Sequence, residues 1–341
     1  MASVGVIGAS GFAGAELLRL LASHPELDLV LATGDSQAGT PIAELYPSLA
    51  LAYRDLPFRP YDANELHGLD VAFLAMPHGV SQTMVPELLP RVKHVIDVAA
   101  DFRLDDPSLY PAWYGDEHTA PELLAAFAYG LPELFRADIQ TATNVAAPGC
   151  YPTTAVLPLA PLVRAGLIEP TGIVVDAASG VSGAGRGKFP FCGTDEDFTA
   201  YALLDHRHTP EIEQTLSVAA GATAQVIFTP HLAPMNRGIL ATCYARPATA
   251  VSGADVLDCL HAAYDDEPFV HVTHGSPSTK ATLGANTAHV TVRYDERTGW
   301  VLALSALDNL VKGTAGQAIQ CANLLLGLDE TLGLPTVGVY P

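Results

Sequence analysis

Apolar and polar positions follow two textures along the chain. Up to about residue 149, short apolar runs at 4–7, 27–32, 71–75, 95–99 and 141–145 read as strands. Residues 15–22 predict a helix with Leu17, Leu18, Leu20 and Leu21 available to a core, and residues 80–89 a second helix starting after Pro77-His78-Gly79. Strands alternating with helices predict a parallel sheet. Beyond that point a helix over 154–165 precedes β-rich runs at 173–177, 225–228, 238–244, 289–294 and 300–306, with one helix near 254–264. This texture predicts an α+β domain whose mixed or antiparallel sheet is covered on one face by helices. The apolar, small-residue-rich segment 314–326 predicts a last helix that returns to the first domain. The expected fold is therefore α/β: a Rossmann-type doubly wound sheet over 1–149, completed by residues 309–341, and an α+β catalytic and oligomerisation domain over 150–308.

The turn after the first strand is Gly8-Ala9-Ser10-Gly11-Phe12-Ala13-Gly14, with glycines at spacing three and three. Glycine allows positive φ and close backbone approach, so amide N–H groups at a helix N-terminus can hold a pyrophosphate. Gly8, Ser10, Gly11, Phe12, Ala13 and Gly14 are the candidate dinucleotide-binding residues of this turn. The ribose-reading position falls in Thr33-Gly34-Asp35-Ser36-Gln37, making Thr33, Asp35 and Ser36 further candidates. A carboxylate at Asp35 bonds ribose hydroxyls and repels a 2′-phosphate, which taken alone argues for NADH.

Composition narrows the function classes. With 341 residues, 49% hydrophobic and 16% charged, the chain suits two ordinary globular domains. No apolar run approaches membrane-spanning length and the first residues form a strand and turn, so a soluble cytoplasmic protein is expected. A net charge of −20 with only 17 Lys and Arg argues against nucleic acid or an anionic membrane as partner. Five cysteines, without a C-x-x-C pair, support neither a disulfide framework nor a zinc knuckle, and no metal site is expected.

One cysteine stands apart. Cys150 lies in Ala147-Pro148-Gly149-Cys150-Tyr151-Pro152-Thr153-Thr154. A free thiol is only roughly 3% ionised at neutral pH, so a nucleophile needs its pKa lowered. If Thr153 and Thr154 begin the next helix, Cys150 sits just before a helix N-terminus, whose partial positive charge favours the anion. In His206-Arg207-His208-Thr209-Pro210-Glu211, Thr209 is placed to cap a helix starting at Pro210, which would hold two imidazoles for acid–base work. Glu211 is either an orienting carboxylate for a histidine or a first-turn acid facing the helix dipole. The loop from Ser179 to Lys188 joins glycines, hydroxyls and two cations, a composition suited to an anion, and Ser179, Gly180, Ser182 and Gly183 are its candidate contacts. Arg103, in Asp101-Phe102-Arg103, would point into the crevice at the strand ends, a structural Arg–Asp pair being the alternative. Arg103, Arg186 and Arg237 are the candidate cations for an anionic substrate, against the alternative of solvated surface charge.

These motifs resemble the N-acetyl-gamma-glutamyl-phosphate reductases of the semialdehyde dehydrogenase superfamily. The likeness runs nearly end to end, through residues 8–14, 77–79, 97–104, 129–133, 148–153, 179–185, 206–212, 230–238 and 308–317; the thiol and histidine runs are its specific part. The resemblance implies reductive dephosphorylation of a small-molecule acyl phosphate in arginine biosynthesis. A Cys150 thioester is reduced by NADPH to a thiohemiacetal that collapses to the semialdehyde. It also implies that His206 or His208 is the acid–base, that Pro77 lies on the cofactor side, that Ser179, Gly180, Ser182 and Gly183 help bind cofactor or substrate, that Asn309 lies near the nicotinamide, and that the protein is a homodimer or homotetramer. After the second strand the family commonly has Ser-Arg, whose cation suits a 2′-phosphate, where this chain has Gly34-Asp35. NADP stays the family expectation, supported by hydroxyls at Ser10, Thr33 and Ser36, with weaker discrimination against NAD. Three alternatives remain: an aminoadipyl-phosphate reductase acting on an acidic carrier protein, which a −20 chain would repel, an aspartate-semialdehyde dehydrogenase, and a dinucleotide sensor without turnover.

Overall fold

The computed structural model describes residues 1–187 and 191–340 and divides into two compact units. One comprises Met1–Pro148 with Thr314–Leu334, the other Gly149–Gly313 with the residues from Pro335 onward. The C-terminal stretch is thus split: residues 309–313 and 335–340 belong with the second unit rather than the first. Val339 N donates to Leu283 O at 2.7 Å, and Asn286 N to Pro335 O at 2.7 Å, which ties the tail there.

The first unit holds strands β1 (Ala2–Ile7), β2 (Leu27–Ala32), β3 (Val71–Leu74), β4 (His94–Asp97), β5 (Phe127–Tyr129) and β6 (Asn144–Ala146). They form one parallel sheet in the order β2-β1-β3-β4-β6-β5. Strand order reverses between β1 and β3, and the crevice at such a switch point, beyond the carboxyl ends, is where open α/β sheets bind ligands. Every residue of β3 is buried, as a continuous apolar run in a central parallel strand requires. The helix Phe12–Leu21 starts three residues earlier than its apolar periodicity suggests, and its Leu17, Leu18, Leu20 and Leu21 are at most 4% exposed. Its early start depends on Gly14, where a Cβ would fall 2.5 Å from the Cα of Ala9. β5 and the helix Pro132–Thr141 carried no clear pattern, and the run expected as a strand over 141–145 begins at Asn144. The helix Gly316–Leu325, buried from Gly316 to Leu324, completes this unit, with Gln317 Nε2 donating to Gly130 O at 2.9 Å.

The second unit holds β7 (Ile173–Gly180), β8 (Thr199–Ala200), β9 (Val226–Ala233), β10 (Ile239–Ala245), β11 (Val270–Val272), β12 (Ala288–Asp295) and β13 (Trp300–Leu307). The sheet order is β11-β12-β13-β10-β7-β9-β8, with β11/β12 and β7/β9 parallel and the remaining pairs antiparallel. The helix Cys150–Arg164 packs on β10 and β13, Thr209–Ala220 on β9, and Gly253–Tyr264 on β11 and β12. Residues 151–163 of the first of these are all buried, which is why the sequence shows no polar face there. The other face of the sheet presents Ile227, Tyr244 and a shallow depression lined by Val174, Trp300 and Leu302. Among the described residues, no helix is long and apolar enough to cross a membrane, and no group of three or more His, Cys, Asp or Glu side chains is placed to hold a metal ion.

Candidate active site

In the first unit the glycine turn sits between the ends of β1 and β3. Gly8 has φ +82°, and a Cβ there would fall 2.4 Å from Ala75 O, so only glycine fits. Gly11 is the N-cap of the Phe12–Leu21 helix without a side-chain cap, and a Cβ on it meets nothing closer than Gly8 O at 3.6 Å. No side-chain cap competes for the first-turn amides, and this cradle fits a dinucleotide pyrophosphate. Thr33 is turned inward: it is 2% exposed and its hydroxyl accepts from Gly8 N at 3.3 Å, so it braces the turn. Asp35 and Ser36 are exposed in a short turn at the end of β2, and Pro77 is exposed after β3. Gly34 packs on Ser10, whose carbonyl accepts from Tyr46 Oη at 2.7 Å.

Arg103, expected to point into the crevice, is 7% exposed, with Nε donating to Ala147 O at 2.8 Å and Nη2 to Val98 O at 3.0 Å. Its donors hold the chain just upstream of Cys150. The nearby Asp97 carboxyl is pushed up to about 7 by burial and by Asp101, with Arg103 acting against the shift. Asp101 itself caps the helix Ser81–Leu88, accepting from Gly79 N, Ser81 Oγ and Gln82 N at 2.7 to 3.1 Å. This brace was missed in the sequence, because its partners lie about twenty residues away.

In the second unit Cys150 is the first residue of the helix Cys150–Arg164, four residues earlier than periodicity placed that helix, and it is half-buried. The N-cap Gly149 offers no side chain, and Thr153 and Thr154 donate their hydroxyls back to Gly149 O and Cys150 O at 3.0 and 2.7 Å. The thiol thus sits in the first turn, where the helix dipole favours a thiolate. Three groups crowd its loop. Gly149 N donates to Glu211 Oε1 at 2.8 Å, Glu211 being fully buried. A Cβ on Gly149 would fall 2.5 Å from Nε2 of His208, so the Nε2 edge of that ring presses on the loop. A Cβ on Gly313 would fall 2.8 Å from Cβ of Cys150.

The two histidines differ. Thr209 does not cap; it is the first residue of the helix Thr209–Ala220, whose N-cap is His208. His206 Nδ1 accepts from His208 N at 3.1 Å, which places its proton on Nε2. The ring is packed among Tyr151, Tyr201, His208 and Phe228, with centroids 4.8 to 5.6 Å apart. Burial, aided by the charge of Arg207, pushes its pKa down to about 4. Tyr201 Oη donates to Tyr151 Oη at 3.2 Å and Tyr151 Oη to His231 O at 3.0 Å; burial raises both phenols, Tyr201 to about 12. These tyrosines and Gly313 were not singled out in the sequence, since neither residue type announces itself.

The loop after β7 is fixed by close packing. A Cβ on Gly180 would fall 2.8 Å from Arg237 N, and Ser179 is 2% exposed. Asn309, 1% exposed, accepts from Gly238 N at 2.7 Å and donates to Ser182 Oγ at 2.9 Å, so its amide ties this loop to the β9–β10 connection. Gly183 is exposed at the loop's surface and Arg186 in the turn that follows. Arg237 is partly exposed and Nη1 lies 3.6 Å from Oδ2 of the fully buried Asp308. Lys188 lies outside the described residues. The unit therefore collects Cys150, His206, His208, Glu211, Ser179, Ser182, Arg237 and Asn309 around one sheet end.

Two family models cover most of the chain: the semialdehyde dehydrogenase NAD binding domain over residues 3–142, and the semialdehyde dehydrogenase dimerisation domain over 150–309. A protein of Desulforudis audaxviator called N-acetyl-gamma-glutamyl-phosphate reductase is 49% identical, over 100% of both chains. One of the same name from Magnetococcus marinus is 47% identical, over 99% of this chain and 98% of the relative. Among solved structures, aspartate semialdehyde dehydrogenase II of Vibrio cholerae shares the fold, with a TM-score of 0.73 and 18% identity over 96% of this chain and 99% of that one. With its dinucleotide cradle, its thiol at a helix start and its full-length likeness to these relatives, the chain belongs to the N-acetyl-gamma-glutamyl-phosphate reductases of the semialdehyde dehydrogenase family.

Proposed function

We propose that the protein reduces N-acetyl-gamma-glutamyl phosphate to the semialdehyde, releasing inorganic phosphate, as a step of arginine biosynthesis. The observation that carries the reading is Cys150 at the first position of an uncapped helix, on a loop pinned by Glu211 and packed under His208. The Cys150 thiolate attacks the acyl carbon, the carbon–oxygen bond to phosphate breaks, and phosphate leaves with its electron pair. A bound reduced dinucleotide supplies hydride for the carbonyl carbon of the resulting thioester. A proton from the histidine pair goes to the oxygen of the thiohemiacetal, and collapse returns the proton to the pair and the electron pair to sulfur.

His208 carries that proton, because His206 is held neutral and its Nδ1 lone pair is engaged by a backbone N–H. His206 donates from Nε2–H as a neutral hydrogen-bond donor, a role compatible with its depressed pKa. Glu211 positions the loop through Gly149 N, and Ser179, Gly180, Ser182 and Gly183, stiffened by Asn309, flank the acyl phosphate with Arg237 and Arg186. NADPH is the reductant, as the family resemblance implies, with Ser10 and Ser36 near the ribose and NADH used less well. A second copy of the chain covers the open sheet face at Ile227 and Tyr244, in line with a family model described as a dimerisation domain.

Mass spectrometry after incubation with the acyl phosphate and no dinucleotide tests the first step. An acyl adduct on Cys150 is expected, and an unmodified protein that still turns over with dinucleotide present would sink the thioester. Comparing phosphate-dependent oxidation of the N-acetylglutamate, aminoadipate and aspartate semialdehydes fixes the substrate class.

A further inference from the structure

We infer that Arg59 supplies the cation for the 2′-phosphate of NADPH, taking the place of the arginine this chain lacks after β2. The inference rests on the NADPH reading above. The loop that follows β2 is clasped at its base by residues 58–59. Arg59 N donates to Ala32 O at 2.9 Å and Gly34 N donates to Arg59 O at 3.0 Å. Gly39 N donates to Phe58 O at 2.8 Å and Phe58 N to Thr40 O at 2.9 Å. Thr33 and Arg59 form a parallel bridge, and paired residues of neighbouring strands project to the same face of a sheet. Thr33 braces Gly8 on the pyrophosphate turn, so the Arg59 side chain leaves its backbone on the same sheet face, one strand out from that turn's support. Arg59 is the one cation among the described residues whose backbone is hydrogen-bonded to the loop carrying Asp35 and Ser36.

Phe58, 1% exposed, anchors the segment from below, while the Arg59 side chain is 51% exposed and paired with Glu65. A guanidinium on a rigid base, exposed, and held by one surface carboxylate is available to a phosphate dianion, which it binds by charge-assisted, bidentate hydrogen bonds. The chemistry at this edge is then a contest. Asp35 favours bare ribose hydroxyls, Arg59 favours a 2′-phosphate, and Glu65 competes for Arg59.

Calorimetric titration of the full chain with 2′,5′-ADP, 5′-AMP and NADH tests this without turnover. Wild type is expected to bind 2′,5′-ADP more tightly than 5′-AMP. Arg59→Ala should weaken 2′,5′-ADP at least tenfold while 5′-AMP and NADH change less than twofold. Arg59→Lys should recover part of the loss, and Glu65→Gln should tighten 2′,5′-ADP several-fold. Unchanged 2′,5′-ADP affinity in Arg59→Ala overturns the assignment alone. Equal losses for all three ligands overturn it too, by showing a structural role. A wild type that does not distinguish 2′,5′-ADP from 5′-AMP removes the NADPH reading and the assignment with it.

Discussion

Residues 1–14 contain a complete dinucleotide turn: strand, glycine run and helix start are contiguous, and the groups that would hold a pyrophosphate are backbone amides. The thiol site of the second unit is assembled from five separated segments, around residues 149–151, 179–183, 206–211, 236–238 and 308–313, and it depends on side chains. Different vulnerabilities follow. The turn fails when one glycine gains a side chain, because no rotamer can relieve a clash with Ala75 O. The thiol site fails by degrees, as each brace of the Cys150 loop is removed.

Four experiments sharpen or break this contrast, and the first should have the largest effect. Cys150→Ser is expected to lower turnover about 10⁴-fold or more, the scale of losing a covalent nucleophile, while dinucleotide affinity stays within twofold. Steady-state kinetics with a dinucleotide titration check this; a variant retaining a tenth of the activity would remove the thioester.

Gly8→Ala should do the converse. Positive φ and the 2.4 Å approach to Ala75 O force the turn to move, so dinucleotide affinity should fall about 10²-fold while acyl-adduct formation at Cys150 persists. Loss of the adduct as well would show that the two units do not fail independently.

Gly313→Ala places a Cβ 2.8 Å from that of Cys150. Displacement of a nucleophile by a fraction of an ångström lowers turnover by roughly 10 to 10²-fold, so kcat should fall more than KM changes. A similar drop with a large loss of Tm would mean a packing role alone.

The last test is pH-dependent stability, where the two units oppose each other. His206 has a folded pKa below its unfolded value, so the unfolded chain binds the extra proton between about pH 6.5 and 4, and stability is lost as pH falls through that window. Asp97 has a folded pKa raised to about 7, so the folded chain holds the extra proton, and stability is lost as pH rises from about 4 to 7. His206→Gln should therefore flatten the loss on the acid side and Asp97→Asn the loss toward neutrality, each by roughly 3 to 4 kcal/mol in denaturant titrations. Parallel shifts of both variants would contradict opposite signs.

Legibility followed the same divide. The apolar run 27–32 matched β2, which is only partly buried, and 71–75 gave β3 within a residue, because a buried parallel strand is a continuous apolar stretch. β5 and β8, three and two residues long, have too little pattern to register. The helix beginning at Cys150 was read four residues short, because Pro152 and the glycine before the thiol resemble a turn, although proline is well tolerated in a first helical turn. For Arg103 the sequence leaves a substrate cation and a structural Arg–Asp pair open, since it shows charge but not that the carbonyls of Val98 and Ala147 will claim it.

By itself the sequence determined the order of the longer apolar strands and of the helices with a clear period, the glycine turn, and the identity of the thiol and imidazoles. These are local properties: hydrophobic period, allowed φ, and side-chain chemistry. Only the tertiary structure decided that Glu211 grips Gly149 N, that Gly313 presses on Cys150, that His206 is neutral with its proton on Nε2, and that Arg59 is clasped to the loop after β2. Each joins residues distant in the chain, and its energy comes from burial and from donors meeting acceptors, which exist only once the chain has closed around them.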